Sequence, residues 1–329
     1  MLGTRPALRL DLPVVAVAAV GVWLTWRGVQ AIGASSVGQV VAGARHQLIG
    51  PAVAAFVFVV LVLERLRPAQ PRPALARGHV HDALYLLLYA VAVVPLIVLI
   101  GAGFSSLVRS VAPWVVLPRI SSVPQWMFVV VALVTMDFCN WFAHWANHRV
   151  LVLWRLHAVH HAQEEMSVLT SFRAHPFVHV SFLVSALPAA VLVRNGVVPA
   201  EVIVIYICLA ALPHANLRWG SGPVGRTVSR VLVTPAFHRL HHAVDGPIDV
   251  NMGTILTVWD AVARCAVWPT ADWTPVPTGL LDRPIPVEQS GVRPAHLRTF
   301  AVQLSEPFVV RAGEPSGARR RTPRHVLPT

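Results

Sequence analysis

Long uncharged apolar runs alternate along this chain with shorter stretches rich in arginine, proline and histidine. Six runs read as membrane helices: roughly Leu12 to Ile32, Leu48 to Leu63, Ala83 to Phe104, Trp126 to about Ala143, Phe177 to Val193, and Val198 to Leu212. A bilayer core takes ~20 apolar residues to cross. The run Leu48 to Leu63 therefore ends in the interface, and the first run is the weakest because Arg27 interrupts it. Residues 64–82 carry Arg65, Arg67, Arg72, Arg77 and three prolines, which predicts a cytoplasmic loop that no continuous helix spans. The turn 194–197, with Asn195 and Gly196, joins the last two runs into a helical hairpin. Counting crossings from the basic loop puts 144–176 and everything after 214 on the same, cytoplasmic, face. Phe237 to His242 reads as a helix start or turn, and Ile255 to Val267 as an amphipathic or interfacial helix. The fold class expected is all-α, a polytopic membrane bundle with a histidine-rich cap on the cytosolic side. Three parts are expected: N-terminal helices and basic loop over 1–82, the histidine-bearing membrane domain over 83–272, and a Pro/Arg-rich, partly disordered tail over 273–329.

Composition supports the membrane class. Of the 329 residues 55% are hydrophobic and 13% charged, and the mean hydropathy is +0.60. The 27 basic residues are all arginine, and the net charge of +12 is spread over the flanks of apolar runs. It therefore points to membrane orientation and anionic headgroups, not to nucleic acid. Cys139, Cys208 and Cys265 have no CxxC spacing, so neither a disulfide framework nor a thiolate site is predicted. Arg5 and Arg9 precede the first apolar run with no small-residue cleavage site after it, the pattern of an uncleaved signal anchor.

The chemistry lies in the polar stretches. Eleven of the 16 histidines fall between 144 and 242. His144 and His148 form an HxxxH, and two HxxHH boxes follow at His157, His160, His161 and at His238, His241, His242. Spacings of three and four place imidazoles on one helical face, and neutral nitrogen ligands without thiolates suit a transition metal. The count exceeds what one ion can use, so two neighbouring metals are expected. His175, His179 and His214 are either ligands or members of a polar network. Asp137 and Asn140 lie seven and four residues before His144, one or two turns deeper, where a carboxylate orients a metal-bound imidazole or pairs with Arg149 or Arg173. Glu164, Glu165, Asn216 and Asp245 lie near histidine groups and can serve likewise, although Glu164 and Glu165 fit a solvated loop better. His46, His79, His81, His296 and His325 read as solvated.

The series DFCNWFAHWANHR, LWRLHAVHH, SFRAHPF, LPHAN and TPAFHRLHH, closed by NMGTILTVWD, resembles the fatty acid hydroxylase superfamily of membrane di-iron oxygenases over about residues 124 to 268. The resemblance implies two histidine-bound non-haem irons at the cytosolic face, with O2 as co-substrate and electrons from an external donor. The reaction would hydroxylate or desaturate a lipid C–H bond of a fatty-acyl, sterol-like or ether-lipid substrate. It assigns His144, His148, His157, His160, His161, His238, His241 and His242 as ligands, with His214 as a further one. Asn216 and Arg218 stand where the family often has a second histidine, and His175 in AHP matches a position where many members have one. Asp137, Asn140, His175 and Asn216 are the candidate supporting residues. A separate redox partner of ferredoxin, cytochrome b5 or reductase type is implied, with Arg149, Arg155 and Arg239 as candidates to dock it. Two competing classes are a metal transporter and a haem electron carrier. Transporters hold ligands near the bilayer midplane, and paired haem ligands face one another within spans, whereas these clusters stand at helix ends.

Overall fold

The protein is described by a computed structural model over residues 9–10, 50–72, 77–89, 93–115, 124–185, 200–244, 249–280 and 295–310. Over these residues it is helical: Pro51–Leu66 (α1), Arg77–Leu88 (α2), Val94–Val111 (α3), Gln125–Arg149 (α4), Leu151–His161 (α5), Ala200–Ala211 (α6), Pro223–Ser229 (α7), Pro235–His241 (α8), Val258–Val262 (α9) and Ala295–Ser305 (α10). Short 3-10 segments join them. A two-residue antiparallel pairing of Arg9–Leu10 (β1) with Val309–Val310 (β2) is the only sheet among the described residues.

The faces of α1 and α4 are inverted relative to a helix that packs on an apolar core in water. Trp126, Val130, Val134, Phe138 and Phe142, each one turn apart, stand exposed on α4, while Asp137, His144 and Asn147 are buried. On α1, Phe58, Val62 and Leu66 are exposed and Glu64 is buried. Among the described residues one helix, Val129–Arg149, is long and apolar enough to cross a membrane, and Val202–His214 is a shorter apolar helix. The predicted run Leu12 to Ile32 lies outside the described residues.

Several elements differ from the sequence expectation. Helix α2 begins at Arg77, inside the expected loop, and with α3 covers the described part of the run from Ala83 to Phe104. His81, expected to be solvated, is fully buried on α2 beside Asp82. A charge so enclosed needs a partner, and Arg173 supplies it at 3.3 Å. The run from Phe177 winds as a 3-10 helix over Pro176–Ser185, where Ser181 Oγ donates to Val178 O three residues back. At ~2.0 Å per residue its ten residues reach roughly 20 Å, short of a ~30 Å bilayer core. The helix expected from Ile255 to Val267 shrinks to the five residues of α9. Arg264, at φ 56°, takes the left-handed conformation that ends helices. The described residues after 273 pack against the rest of the chain. Thr278 Oγ1 donates to Glu164 O at 2.9 Å, and Tyr85 Oη donates to Gln303 Oε1 at 2.9 Å, so α10 packs on α2. The boundaries drawn at 82 and 272 therefore divide residues that pack together.

Two local devices present the histidines. Val150 is extended (φ −99°, ψ 117°) and is at once the C-cap of α4 and the N-cap of α5. One β-branched residue thus turns the chain so that the histidines of the two helices face each other. At α8, Thr234 accepts from Phe237 N and Pro235 opens the helix, the Thr-Pro start that leaves few amide donors unsatisfied.

Candidate metal centre

The nine histidines of the HxxxH, the two HxxHH boxes and His214 converge from four elements: α4, α5, the 3-10 turn Leu212–His214, and α8 with the residue after it. They fall into two groups. His144, His148, His157, His161 and His241 form one, and His160, His214, His238 and His242 the other; within each group the ligand-capable atoms all lie within 4.8 Å of one another. The groups abut, since the His161 and His242 rings stack at 4.3 Å. Each HxxHH box is split between them: His157 and His161 go to one side and His160 to the other, while His241 and His238 with His242 divide likewise. Spacings of three and four around a helix differ by about one residue's rotation, so one short helix faces two neighbouring positions.

Backbone carbonyls fix the protons on three imidazoles. His144 Nδ1 donates to Met252 O at 2.8 Å, His241 Nδ1 to Val250 O at 2.8 Å, and His160 Nδ1 to Arg173 O at 3.0 Å. A neutral imidazole with Nδ1–H spent in this way carries its lone pair on Nε2. Those lone pairs point into the cluster. His144 Nε2 and His241 Nε2 are buried with no hydrogen-bond partner. In the other group, His214 Nε2 sits 3.1 Å from His160 Nε2 and 3.0 Å from His238 Nε2, and one such atom cannot donate to both. Buried acceptors aimed at one another are costly unless something binds them, and a cation at each group satisfies them. Burial also holds the rings neutral. His160 is pushed down to about 3, and His157, His161, His238, His241 and His242 lie well below the ordinary histidine value, all through desolvation first and neighbouring histidines second. Neutral imidazole is the ligand form, so the residues present fit two transition-metal ions without a carboxylate or thiolate in either group.

The supporting residues act at one remove. Asp137 meets no imidazole; it accepts from Ile255 N at 2.9 Å, Leu256 N at 3.0 Å and Trp259 Nε1 at 2.8 Å. Arg173, weighed as its ion-pair partner, is taken by Asp82. Asn140 donates to Met136 O in its own helix. Asn216 turns away from the histidines, donating to Gln70 O at 2.8 Å and accepting from Gln70 N and Arg239. The four-histidine group is assembled without it. His175 stands apart from both groups: Nε2 donates to Leu304 O at 3.1 Å and Nδ1 accepts from Phe177 N at 3.2 Å, which leaves no lone pair for a metal. His179 lies against Tyr89 and Phe182, outside the groups. Glu165 accepts from Gly78 N, Glu164 lies beside Gly279, and Asp245 lies outside the described residues. Of the arginines considered for docking an electron donor, Arg155 and Arg239 are buried and Arg149 lies 3.6 Å from Asp249. Buried guanidinium groups cannot meet a partner's surface.

Other residues hold the site that sequence reading did not single out. Asp249 Oδ1 lies 3.4 Å from His148 Nδ1. Asp82 accepts from Gln163 Nε2 and Thr170 Oγ1, both at 2.9 Å, and Arg173 Nε donates to Val159 O, fixing the segment whose carbonyl holds His160. Asp260 accepts from Met252 N, Gly253 N, Trp141 Nε1 and Cys265 Sγ. Burial pushes its carboxyl above the ordinary range, and these donors oppose the shift. Asn251 is held at φ 56° and ties the loop to Phe237 O and to Val267 N and O. In sequence the only signal is the closing NMGTILTVWD, which begins at Asn251 and ends at Asp260.

Comparison with known proteins agrees with this geometry. The fatty acid hydroxylase model matches residues 129–264, which contain all nine histidines. The chain is 27% identical over 211 residues to an ornithine lipid hydroxylase of Rhizobium tropici, covering 62% of each. It is 26% identical over 140 residues to an alkylglycerol monooxygenase of Caenorhabditis elegans, 41% of this chain and 25% of that one. It is 25% identical over 136 residues to the alkylglycerol monooxygenase of Homo sapiens, 40% and 28% respectively. Each match spans less than two thirds of the relative's length. No solved structure matches the chain.

Proposed function

We propose, from the match of residues 129–264 to the fatty acid hydroxylase model, that this chain is a multi-pass membrane oxygenase of that family. It would hold two non-haem irons in its nine histidines and use O2, with two electrons from a separate donor, to hydroxylate a C–H bond on the hydrocarbon chain of a membrane lipid. The observation that carries the reading is the division of nine imidazoles, all of them buried except the half-buried His148, into two adjoining groups whose lone pairs converge. Bound iron would supply the oxygen activation that no amino-acid side chain can.

The chain's own contribution is to bind, orient and exclude water. The Nδ1 bonds of His144, His160 and His241 to carbonyls select the tautomer that presents Nε2. Closure of the cluster by α4, α5 and α8 keeps water from a reactive centre. The exposed apolar faces of α1 and α4 support placement in a bilayer, and the arginines of 64–82 support a cytoplasmic location for the cluster. That location gives a lipid tail access from one side and a soluble electron donor access from the other. Desaturation shares the hydrogen-abstraction step, and the lipid hydroxylases among the relatives favour hydroxylation.

The test is a purified sample in lipid. Two non-haem irons per chain and O2-dependent hydroxylated lipid are expected. His160→Ala is expected to abolish turnover while leaving membrane insertion intact; retained turnover sinks the ligand assignment. A Soret band would instead establish a haem carrier, and metal flux into liposomes a transporter.

A further inference from the structure

The five-histidine group is backed by a charge that reaches it through a peptide bond. The peptide unit between Met252 and Gly253 is bonded at both ends: its carbonyl accepts from His144 Nδ1 at 2.8 Å, and its N–H, on Gly253, donates to Asp260 Oδ2 at 2.8 Å. Asp260 is wholly buried. Among the described contacts its partners are all donors, with Met252 N at 2.8 Å, Trp141 Nε1 at 2.9 Å and Cys265 Sγ at 3.3 Å on Oδ1, and together they favour the anion against the cost of burial. An anion accepting from a peptide N–H polarises the carbonyl of the same unit, since chained hydrogen bonds strengthen one another. A more negative Met252 O draws harder on the His144 proton and makes Nε2 a stronger donor to a metal.

The other two Nδ1 bonds lack this backing among the described contacts. The Val250 carbonyl that holds His241 belongs to a peptide whose N–H, on Asn251, meets the neutral carbonyl of Cys265 at 3.1 Å. The Arg173 carbonyl that holds His160 serves the four-histidine group. Asp137 grips the same loop two residues farther on, through Ile255 N and Leu256 N, but neither peptide reaches an imidazole. The loop thus contains its own control.

We propose that Asp260 is a positioning residue that tunes His144, and with it metal affinity at the five-histidine group, through the polarised Met252–Gly253 peptide. This rests on the two-metal reading above. It is the peptide-relayed counterpart of a carboxylate bonded directly to a ligand histidine, and in this cluster His148, beside Asp249, has the direct form.

The experiment titrates metal-free, full-length protein in detergent or nanodiscs with Co(II) against a competing chelator. Wild type is expected to show two binding constants; fewer than two overturns the two-metal reading before any variant is compared. Asp260→Asn should weaken one constant by roughly 10- to 100-fold, the range for lost outer partners of metal ligands, and leave the other within about twofold. Asp137→Asn should lower the melting temperature with both constants unchanged. Asp260→Glu, which keeps the charge, should fall between wild type and Asp260→Asn, and it supplies the readout if Asp260→Asn does not fold. In a His238→Ala background, which breaks the four-histidine group, the weakening should persist; in a His144→Ala background, which removes the imidazole the peptide reaches, it should vanish. Equal weakening of both sites, no weakening by Asp260→Asn or Asp260→Glu, or the same loss in Asp137→Asn overturns the relay.

Discussion

A histidine buried among eight others is kept neutral at the expense of folding in acid. Between its unfolded value of ~6.5 and its lower folded value, such a residue binds more protons unfolded than folded, so stability falls as pH falls. For His160 the window runs from the ordinary value down to about 3, and His157, His161, His238, His241 and His242 shift the same way. Metal-free protein should therefore lose thermal stability steadily on acidification below neutrality, followed by melting curves in detergent. A melting temperature constant from pH 7 to 4.5 would contradict the buried neutral cluster. At this scale the ligands are legible in the chain because imidazole is uncommon and its spacing of three and four is itself the geometry. Their partners are not, because Met252, Val250 and Arg173 contribute carbonyl oxygens, which every residue has.

At the scale of elements, each ligand helix depends on its first residues. Gly220 adopts φ 103°, and a Cβ there would strike the Thr234 side chain and press on Ala236. Thr234 caps α8 and accepts from Ser229 Oγ or donates to it at 2.7 Å. Gly220→Ala should thus displace the cap of the helix that carries His238 and His241. We expect a loss of roughly 2–3 kcal/mol, the cost of a left-handed conformation with a clash, read as a lowered melting temperature together with reduced metal retention. An unchanged melting temperature would show that the cap does not depend on this contact. The sequence signals α8 through Thr234-Pro235 and predicts α4 through its apolar run. It does not signal that α2 starts at Arg77 or that Pro176–Ser185 winds as a 3-10 helix. Those outcomes depend on what each segment packs against, and His81 with Asp82 show why: a polar pair enters the interior only where Arg173, ninety-one positions away, is waiting.

At the scale of the molecule, the inverted faces of α1 and α4 and the arginine-rich segments predict that the protein resists extraction by alkaline carbonate; release into the soluble fraction would refute membrane integration. A chain ended at residue 294 should melt at a lower temperature, because it loses Gln303 from Tyr85, Leu304 O from His175 and the β1–β2 pairing. Equal stability would mean that α10 is dispensable. The sequence by itself determined the apolar runs, the nine ligand candidates and the family they indicate, since all of these are local: a run of apolar side chains, or histidines one turn apart. Only the tertiary structure decided how the boxes divide, five imidazoles against four. It also decided that Asn216 and His175 are spent elsewhere, that Asp82 and Asp260 hold the segments whose carbonyls meet the imidazoles, and that Asp137 only braces the loop beyond them. Apart from the seven- and eight-residue reach of Asp260 to the backbone, such choices rest on contacts between residues that the chain separates by tens to more than a hundred positions. A buried carboxylate is acceptable only where the fold brings it enough donors.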